Sequence, residues 1–214
     1  MSSEQISKIR KEYVLKTLTE DMVMDSPFEQ FSAWFKEACD VEQGEANAFA
    51  LATVGADGAP SLRTVLLKKF DEKGFVFFTN YESRKAQDIA HHNRVAMLFY
   101  WPSLERQLRI EGMIEKISEE ESDLYFTSRP LAARLGAIVS RQSKEVVSRA
   151  AMDEEYQSYC ASLGDAEPTR PTYWGGYRVV PHYFEFWQGR ESRLHDRIVY
   201  SGEGINWGKK RLWP

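Results

Sequence analysis

Residues 47–80 contain three apolar runs, NAFALATV, SLRTVLLKKF and GFVFFTN, joined by the turns GADGAP and DEKG. Short runs rich in Phe, Val, Leu and Thr, bounded by Gly-containing turns, predict successive β-strands. Connections this short leave no room for a crossover helix, so the strands form an antiparallel meander. RVAMLFYW and RQLRIEGMIEKI extend the pattern, and TYWGGYRVV, HYFEFWQG, RLHDRIVY and NWGKKRLW resume it near the end. In all, roughly seven to nine strands and about four or five helices are expected, with the strands following one another instead of alternating with helices. That order excludes a doubly wound parallel sheet. It predicts a mainly β (α+β) fold, an antiparallel barrel with peripheral helices.

The helices carry their own start signals. In SPFEQFSAWFKEA, Ser26 can cap, Pro27 takes the first helical position and Glu29 completes a capping box, while Phe28, Phe31, Trp34 and Phe35 form one apolar face. Ser118 and Glu121 repeat the box before a helix that ends ahead of Pro130, and residues 130–163 read as mainly helical. Residues 1–20 are mixed in charge and suit an arm or lid, and residues 21–214 read as a single domain.

Acidic residues outnumber basic ones 32 to 28, a net charge of -4, so no global basic field would gather nucleic acid or an anionic membrane. No apolar run suits a signal peptide or a membrane span, and a cytoplasmic protein is expected. Cys39 and Cys160 lie far apart without CxxC spacing, and the four His lack metal-ligand spacing, so no metal is expected.

Any anion site must therefore be local. In NYESRKAQDIA, Ser83, Arg84 and Lys85 open a helix directly after a strand, where free N–H groups and the helix dipole favour a phosphate, although many solvated helices open the same way. Arg63 and Lys68 lie an odd number of positions apart in sequence, so on a regular strand they leave opposite faces. Gln107 could serve a heteroaromatic ring, and Tyr125 and Arg129, four apart on one helix face, could grip a phosphate. In FEFWQGRESRLHDR, strand geometry puts Arg193, His195 and Arg197 on one face and Leu194 and Asp196 on the other. Two readings stay open there: a solvated strand, or a site whose like charge is answered by an anion.

Taken together and in order, RTVLLK, FTN with SRKA, LERQ, YFTSRP, RQS, WGGYR, EFWQGR and RLHDR resemble the pyridoxine/pyridoxamine 5′-phosphate oxidase family, from about residue 8 to the closing RLWP. The resemblance implies an FMN-binding split β-barrel that forms a homodimer. It places Arg63, Thr64, Val65, Leu66, Leu67, Lys68, Phe78, Thr79, Arg84, Lys85, Gln107, Gln142, Ser143, Trp174 and Arg197 at FMN. It assigns the substrate to Arg10, Lys11, Glu12, Tyr13, Lys68, Tyr125, Arg129, Arg193, Leu194 and His195, with His195 and Arg193 catalytic. The implied reaction is oxidation of pyridoxine 5′-phosphate or pyridoxamine 5′-phosphate at the 4′ carbon by O2, giving pyridoxal 5′-phosphate and hydrogen peroxide. A flavin reductase-like split-barrel protein, or a non-catalytic binder of FMN or pyridoxal phosphate, is the alternative.

Two departures stand out. Ala133 replaces the family's usual Ser after YFxxRP, removing one hydroxyl from the implied substrate-phosphate site, a loss on the order of a kilocalorie or two per mole. Ile138 takes the place of a Trp in the usual GAW, which changes packing or cleft shape.

Overall fold

The computed structural model describes residues 3–9, 11–164 and 166–214. Among them are six α-helices: α1 (Ser3–Ser7), α2 (Pro27–Val41), α3 (Arg84–His91), α4 (Glu119–Ser128), α5 (Leu131–Val139) and α6 (Arg149–Leu163). The nine strands are β1 (Ala48–Val54), β2 (Pro60–Leu66), β3 (Lys69–Asp71), β4 (Gly74–Asn80), β5 (Arg94–Trp101), β6 (Arg106–Lys116), β7 (Trp174–Gln188), β8 (Asp196–Glu203) and β9 (Asn206–Arg211). They form one sheet in the order β2-β1-β5-β6-β7-β4-β3, with β8 also pairing β7 and β9 pairing β8. The pairs β3–β4, β4–β7, β7–β8 and β8–β9 are antiparallel.

The serine caps form as predicted, but among the described residues neither Glu29 nor Glu121 accepts from its serine's N–H, so only the serine half of each capping box is made. Ser26 Oγ accepts from Phe28 N–H at 3.3 Å with Pro27 in the first turn, and Ser118 Oγ accepts from Glu121 N–H at 3.1 Å. Three other expectations need correction. SLRTVLLKKF is not one strand: β2 ends at Leu66, Leu67 turns into the core, and Lys68 N–H donates to Val76 O at 2.9 Å before β3 begins. The alternation argument for Arg63 and Lys68 therefore does not apply. TYWGGYRVV and HYFEFWQG, by contrast, are one 15-residue strand running through Pro181. Its two halves have different partners, Trp174–Val179 facing β4 and Tyr183–Gln188 facing β8. Residues 130–163 are mainly helical, as expected, with residues 140–148 separating α5 from α6. Finally, Arg193, Leu194 and His195 precede β8: a short 3-10 turn over Glu191–Arg193, with φ of 54° at Ser192 and 61° at Arg193, breaks the strand geometry that would have aligned them.

The chain divides into two compact units, one of Met1–Ala50, Met97–Glu111 and Pro181–Pro214, the other of Leu51–Ala96 and Gly112–Val180. In the first unit α2 buries Phe28, Phe31 and Trp34. Phe31 meets Phe99 at 5.4 Å between ring centroids, Trp34 meets Phe186 at 5.1 Å, and Phe28 meets Phe184 at 5.3 Å. Each such ring contributes about 1.5–3 kcal/mol by leaving water. In the second unit, Phe75, Val76, Phe77, Tyr177 and Val179 are buried along β4 and β7. Gly175 on β7 is required by close approach: a Cβ there would lie 2.3 Å from the Tyr81 hydroxyl.

Candidate functional site

Within the second unit, the end of β4 and the start of α3 make a cationic nest. Lys85 is buried, and its Nζ donates to Gln142 Oε1 at 2.6 Å, Thr79 Oγ1 at 3.1 Å and Ser83 Oγ at 3.2 Å. All three acceptors are neutral. Burial, with Arg63 nearby, lowers the amine from its usual 10.5 to about 8. Ser83 does not cap α3; its hydroxyl donates to Asn80 O at 2.7 Å, so the first-turn N–H groups keep no side-chain acceptor. Arg84 projects outward from the same turn. A buried ammonium without a carboxylate, beside an open helix N-terminus, has the chemistry of a phosphate site.

Arg63 is held by neighbours in the same unit. It donates to Leu51 O at 3.0 Å, Thr53 Oγ1 at 2.6 Å and Ser61 Oγ at 2.6 Å, and lies 3.5 Å from Asp88. Burial lowers its pKa against the pull of Asp88. Thr64, Val65 and Leu66 continue β2, while Leu67 is buried and Lys68 exposed beyond the strand end. Gln142 and Ser143 lie in the loop between α5 and α6, Ser143 with φ of 71°.

A second group in this unit is aromatic. Phe78 stacks on Tyr125 at 3.8 Å and on Trp174 at 5.5 Å, and the Arg129 guanidinium lies 4.7 Å from the Trp174 ring centre. Arg129 is not on the helix with Tyr125, as the spacing predicted; it caps α4 in extended conformation. Its Nη1 is buried and has no hydrogen-bond partner among the described residues. Burial lowers the Arg129 pKa and raises that of Tyr125. An orphaned guanidinium N–H beside a phenol is a ready anion grip, since such a group costs stability until a partner arrives. Trp174 is a buried ring packed with Phe126 and Ala137, and so backs this grip from the core. Ile138 packs on the same cluster, and Ala133 is half-buried on α5.

The first unit holds the remaining residues. His195 lies 4.6 Å from the Trp187 ring, and Tyr13 meets both rings edge-on at 5.7 Å. The Arg190 N–H donates to His195 Nδ1 at 3.1 Å. Because Nδ1 accepts, the neutral ring carries its proton on Nε2 and offers an N–H outward. Burial, then Arg193, lowers the His195 pKa below 6.5, so the ring is neutral near pH 7. Arg193 and Leu194 are exposed. Arg197, unlike Arg193, is not an open cation: it donates to Glu185 at 2.8 Å and to Trp213 O at 2.8 Å. Burial pushes the Glu185 carboxyl up, but Arg197 and Arg109 outweigh it and leave it below the usual carboxylate range.

Lys11 and Glu12 are exposed and Gln107 is half-buried on β6, while Arg10 lies outside the described residues. Asp196, unassigned from sequence, accepts from Leu18 N–H at 3.0 Å and Arg211 Nη1 at 2.7 Å and lies 3.5 Å from Arg190. Sequence reasoning missed Trp187. Its place in EFWQGR, next to the turn that carries His195, was the available signal.

Comparison with known proteins adds an independent line. The model described as pyridoxamine 5′-phosphate oxidase matches residues 35–157, and that of the pyridoxine 5′-phosphate oxidase C-terminal dimerisation region matches 174–214. A pyridoxine/pyridoxamine 5′-phosphate oxidase from Cupriavidus pinatubonensis is 54% identical over 98% of this chain and 99% of its own. One from Bordetella petrii is 53% identical with the same coverage. Among solved structures, PhzG from Burkholderia lata, in complex with tetrahydrophenazine-1-carboxylic acid, has a TM-score of 0.86 at 31% identity, covering 94% of this chain and 99% of that one. A pyridoxamine 5′-phosphate oxidase-related FMN-binding protein from Nostoc punctiforme has a TM-score of 0.72 at 20% identity, covering 88% and 98%, and speaks to fold alone. The mainly β antiparallel class expected from the strand pattern, and the split barrel implied by the family resemblance, are the fold of these neighbours.

Proposed function

Because this chain belongs to the pyridoxine/pyridoxamine 5′-phosphate oxidase family, we propose that it oxidises pyridoxine 5′-phosphate or pyridoxamine 5′-phosphate to pyridoxal 5′-phosphate. FMN is the cofactor and O2 the electron acceptor. The alcohol and O2 give the aldehyde and hydrogen peroxide; the amine additionally takes up water and releases ammonia. The enzyme works as a homodimer, a reading supported by the match to a dimerisation region, and the cytoplasm is its proposed location.

The observation that carries the reading is two cations with no counter-anion among the described residues, buried Lys85 among three neutral oxygens and half-buried Arg129 with a buried, orphaned Nη1. A flavin phosphate and a substrate phosphate are the two anions the reaction requires. FMN, when bound, supplies the two-electron chemistry. Lys85 and Arg84 hold its phosphate, with Thr79, Gln142 and Ser143 beside them, and the Arg63–Lys68 segment, Phe78, Gln107, Trp174 and Arg197 complete the proposed cofactor set. Arg129 and Tyr125, with Lys68, hold the substrate phosphate. Arg193 and His195 face the reacting carbon, His195 through its Nε2–H, so that it orients the alcohol or amine as a donor. Proton uptake by His195 would fall at Nδ1 and displace the Arg190 N–H. Arg10, Lys11, Glu12, Tyr13 and Leu194 close over the ring.

Oxidation of a different heterocycle is the competing reading, prompted by the tetrahydrophenazine ligand of the Burkholderia lata protein. The relatives more than 50% identical over nearly the whole chain favour the vitamin phosphate. The test is to add each substrate in air to the purified yellow protein and follow peroxide and aldehyde. Equal amounts of both products from pyridoxamine 5′-phosphate are expected; peroxide only with the tetrahydrophenazine acid would overturn the proposal.

A further inference from the structure

Glu105 has no assigned part in the reaction, yet its surroundings are unusual for a carboxylate. It sits at the turn before β6 with φ of 54° and ψ of 42°, a left-handed conformation that a Glu adopts only under constraint. Its side chain is 2% exposed. Buried carboxylates need partners, and among the described residues this one finds them on the N-terminal arm. Oε2 accepts from the consecutive N–H groups of Val14 and Leu15, at 2.9 and 3.2 Å, and Oε1 lies 3.2 Å from Lys11 Nζ.

The backbone carbonyl of the same residue faces the other way. It accepts from Gly189 N–H at 2.8 Å and from Gln188 Nε2 at 3.3 Å, fixing the turn that leads to His195. One residue thus grips the arm with its carboxylate and the Trp187–His195 turn with its carbonyl. Between the two grips lies Tyr13, edge-on to Trp187 and His195 at 5.7 Å. The contact is so close that a Cβ on Gly189 would lie 2.6 Å from Tyr13 Cγ.

We propose that Glu105 is a positioning residue, a latch that sets Tyr13 against His195 and so holds the arm in its substrate-binding place. It acts through Val14, Leu15 and Lys11 and touches neither substrate nor FMN. The substrate part of this proposal rests on the oxidase reading above; the latch itself does not.

The test uses the FMN-loaded full-length protein and the variants Glu105→Ala and Glu105→Gln. The amide oxygen of Gln can still accept the Val14 and Leu15 N–H groups, but its neutral amide cannot form the ion pair with Lys11, so its effects should fall between Ala and wild type. Limited trypsin digestion read by mass spectrometry should show cleavage after Lys11 and Lys16 rising about tenfold in Glu105→Ala, with cleavage elsewhere unchanged. KM for pyridoxamine 5′-phosphate should rise about tenfold while kcat changes less than about threefold and FMN content stays at wild type. Gly189→Ala, which leaves the carboxylate intact and displaces Tyr13 directly, should raise KM in the same way and covers a failure of Glu105→Ala to fold. Unchanged cleavage in the Glu105 variants would overturn the latch, and raised cleavage with unchanged KM would overturn its role in positioning. The digestion needs no turnover, so a wild-type protein unable to oxidise the substrate would refute the functional reading while the latch is still decided by proteolysis.

Discussion

Replacing Lys85 by Met separates what the buried amine does for FMN from what it does for the fold. The fall of its pKa from 10.5 to about 8 means that burial opposes the charge. At about 1.4 kcal/mol per pH unit this is roughly 3 kcal/mol, and partial solvent access brings it to on the order of 2 kcal/mol. Its acceptors are not stranded by the change, because Thr79 Oγ1 donates to Gln142 and Ser83 Oγ to Asn80 O. Apoprotein carrying Lys85→Met should therefore melt between unchanged and about 6 °C higher. A charge-assisted bond to phosphate is worth about 1.5–3 kcal/mol, so the FMN dissociation constant should rise roughly ten- to a hundredfold. Calorimetric titration of apoprotein with FMN near pH 7, beside a thermal melt, reads both. The wild type adds a pH signature. Because the folded pKa lies below the unfolded value, the unfolded chain binds more protons between about pH 8 and 10.5, and apoprotein stability gains from this group as pH rises through that window. FMN affinity should move the opposite way, falling as the amine discharges above about pH 8, and this dependence should vanish in Lys85→Met. An unchanged FMN affinity, or a melting point several degrees lower, would refute the reasoning.

Three further outcomes follow from the same geometry. Arg129→Met should raise KM for pyridoxamine 5′-phosphate about tenfold or more with FMN affinity intact, because the orphaned Nη1 is freed for the substrate phosphate; initial-rate kinetics and FMN titration check it. His195→Gln should lower kcat/KM about tenfold. It should also remove an acid limb that wild type shows below pH 6.5, where protonation of the burial-lowered ring puts a proton on Nδ1 against the Arg190 N–H; a pH–rate profile unchanged from wild type would exclude that account. Asp196→Asn keeps an acceptor for Leu18 but weakens the Arg211 and Arg190 pairs, so the melt should fall by about 2–4 °C with FMN affinity unchanged.

What could be read from sequence was mostly local. Ser26 with Pro27 and Ser118 with Glu121 announced α2 and α4 because caps act within one turn, and the Gly-bounded apolar runs announced β1, β2 and β4 because hairpin connections are short. Lys85 and Arg129 were found as types in a pattern, but their lack of counter-ions depends on which groups the fold brings near. The alignment of Arg193 with His195 failed because alternation assumes continued strand, and positive φ at Ser192 and Arg193 ends it. Pro181 did not divide β7, whose pairing with β4 stops at Val179 and whose pairing with β8 begins at Tyr183. Glu105 was invisible as a latch because its partners, Val14 and Leu15, lie about ninety residues away and offer only backbone N–H groups, as every residue but proline does.

The central claim is that this chain passes electrons from a vitamin B6 phosphate to bound FMN. The most direct measurement is anaerobic: mix the FMN-loaded protein with pyridoxamine 5′-phosphate and follow the visible flavin absorbance. The account predicts bleaching with one aldehyde formed per flavin, and return of the colour with peroxide when air is admitted. Flavin absorbance that stays unchanged at saturating substrate would contradict it.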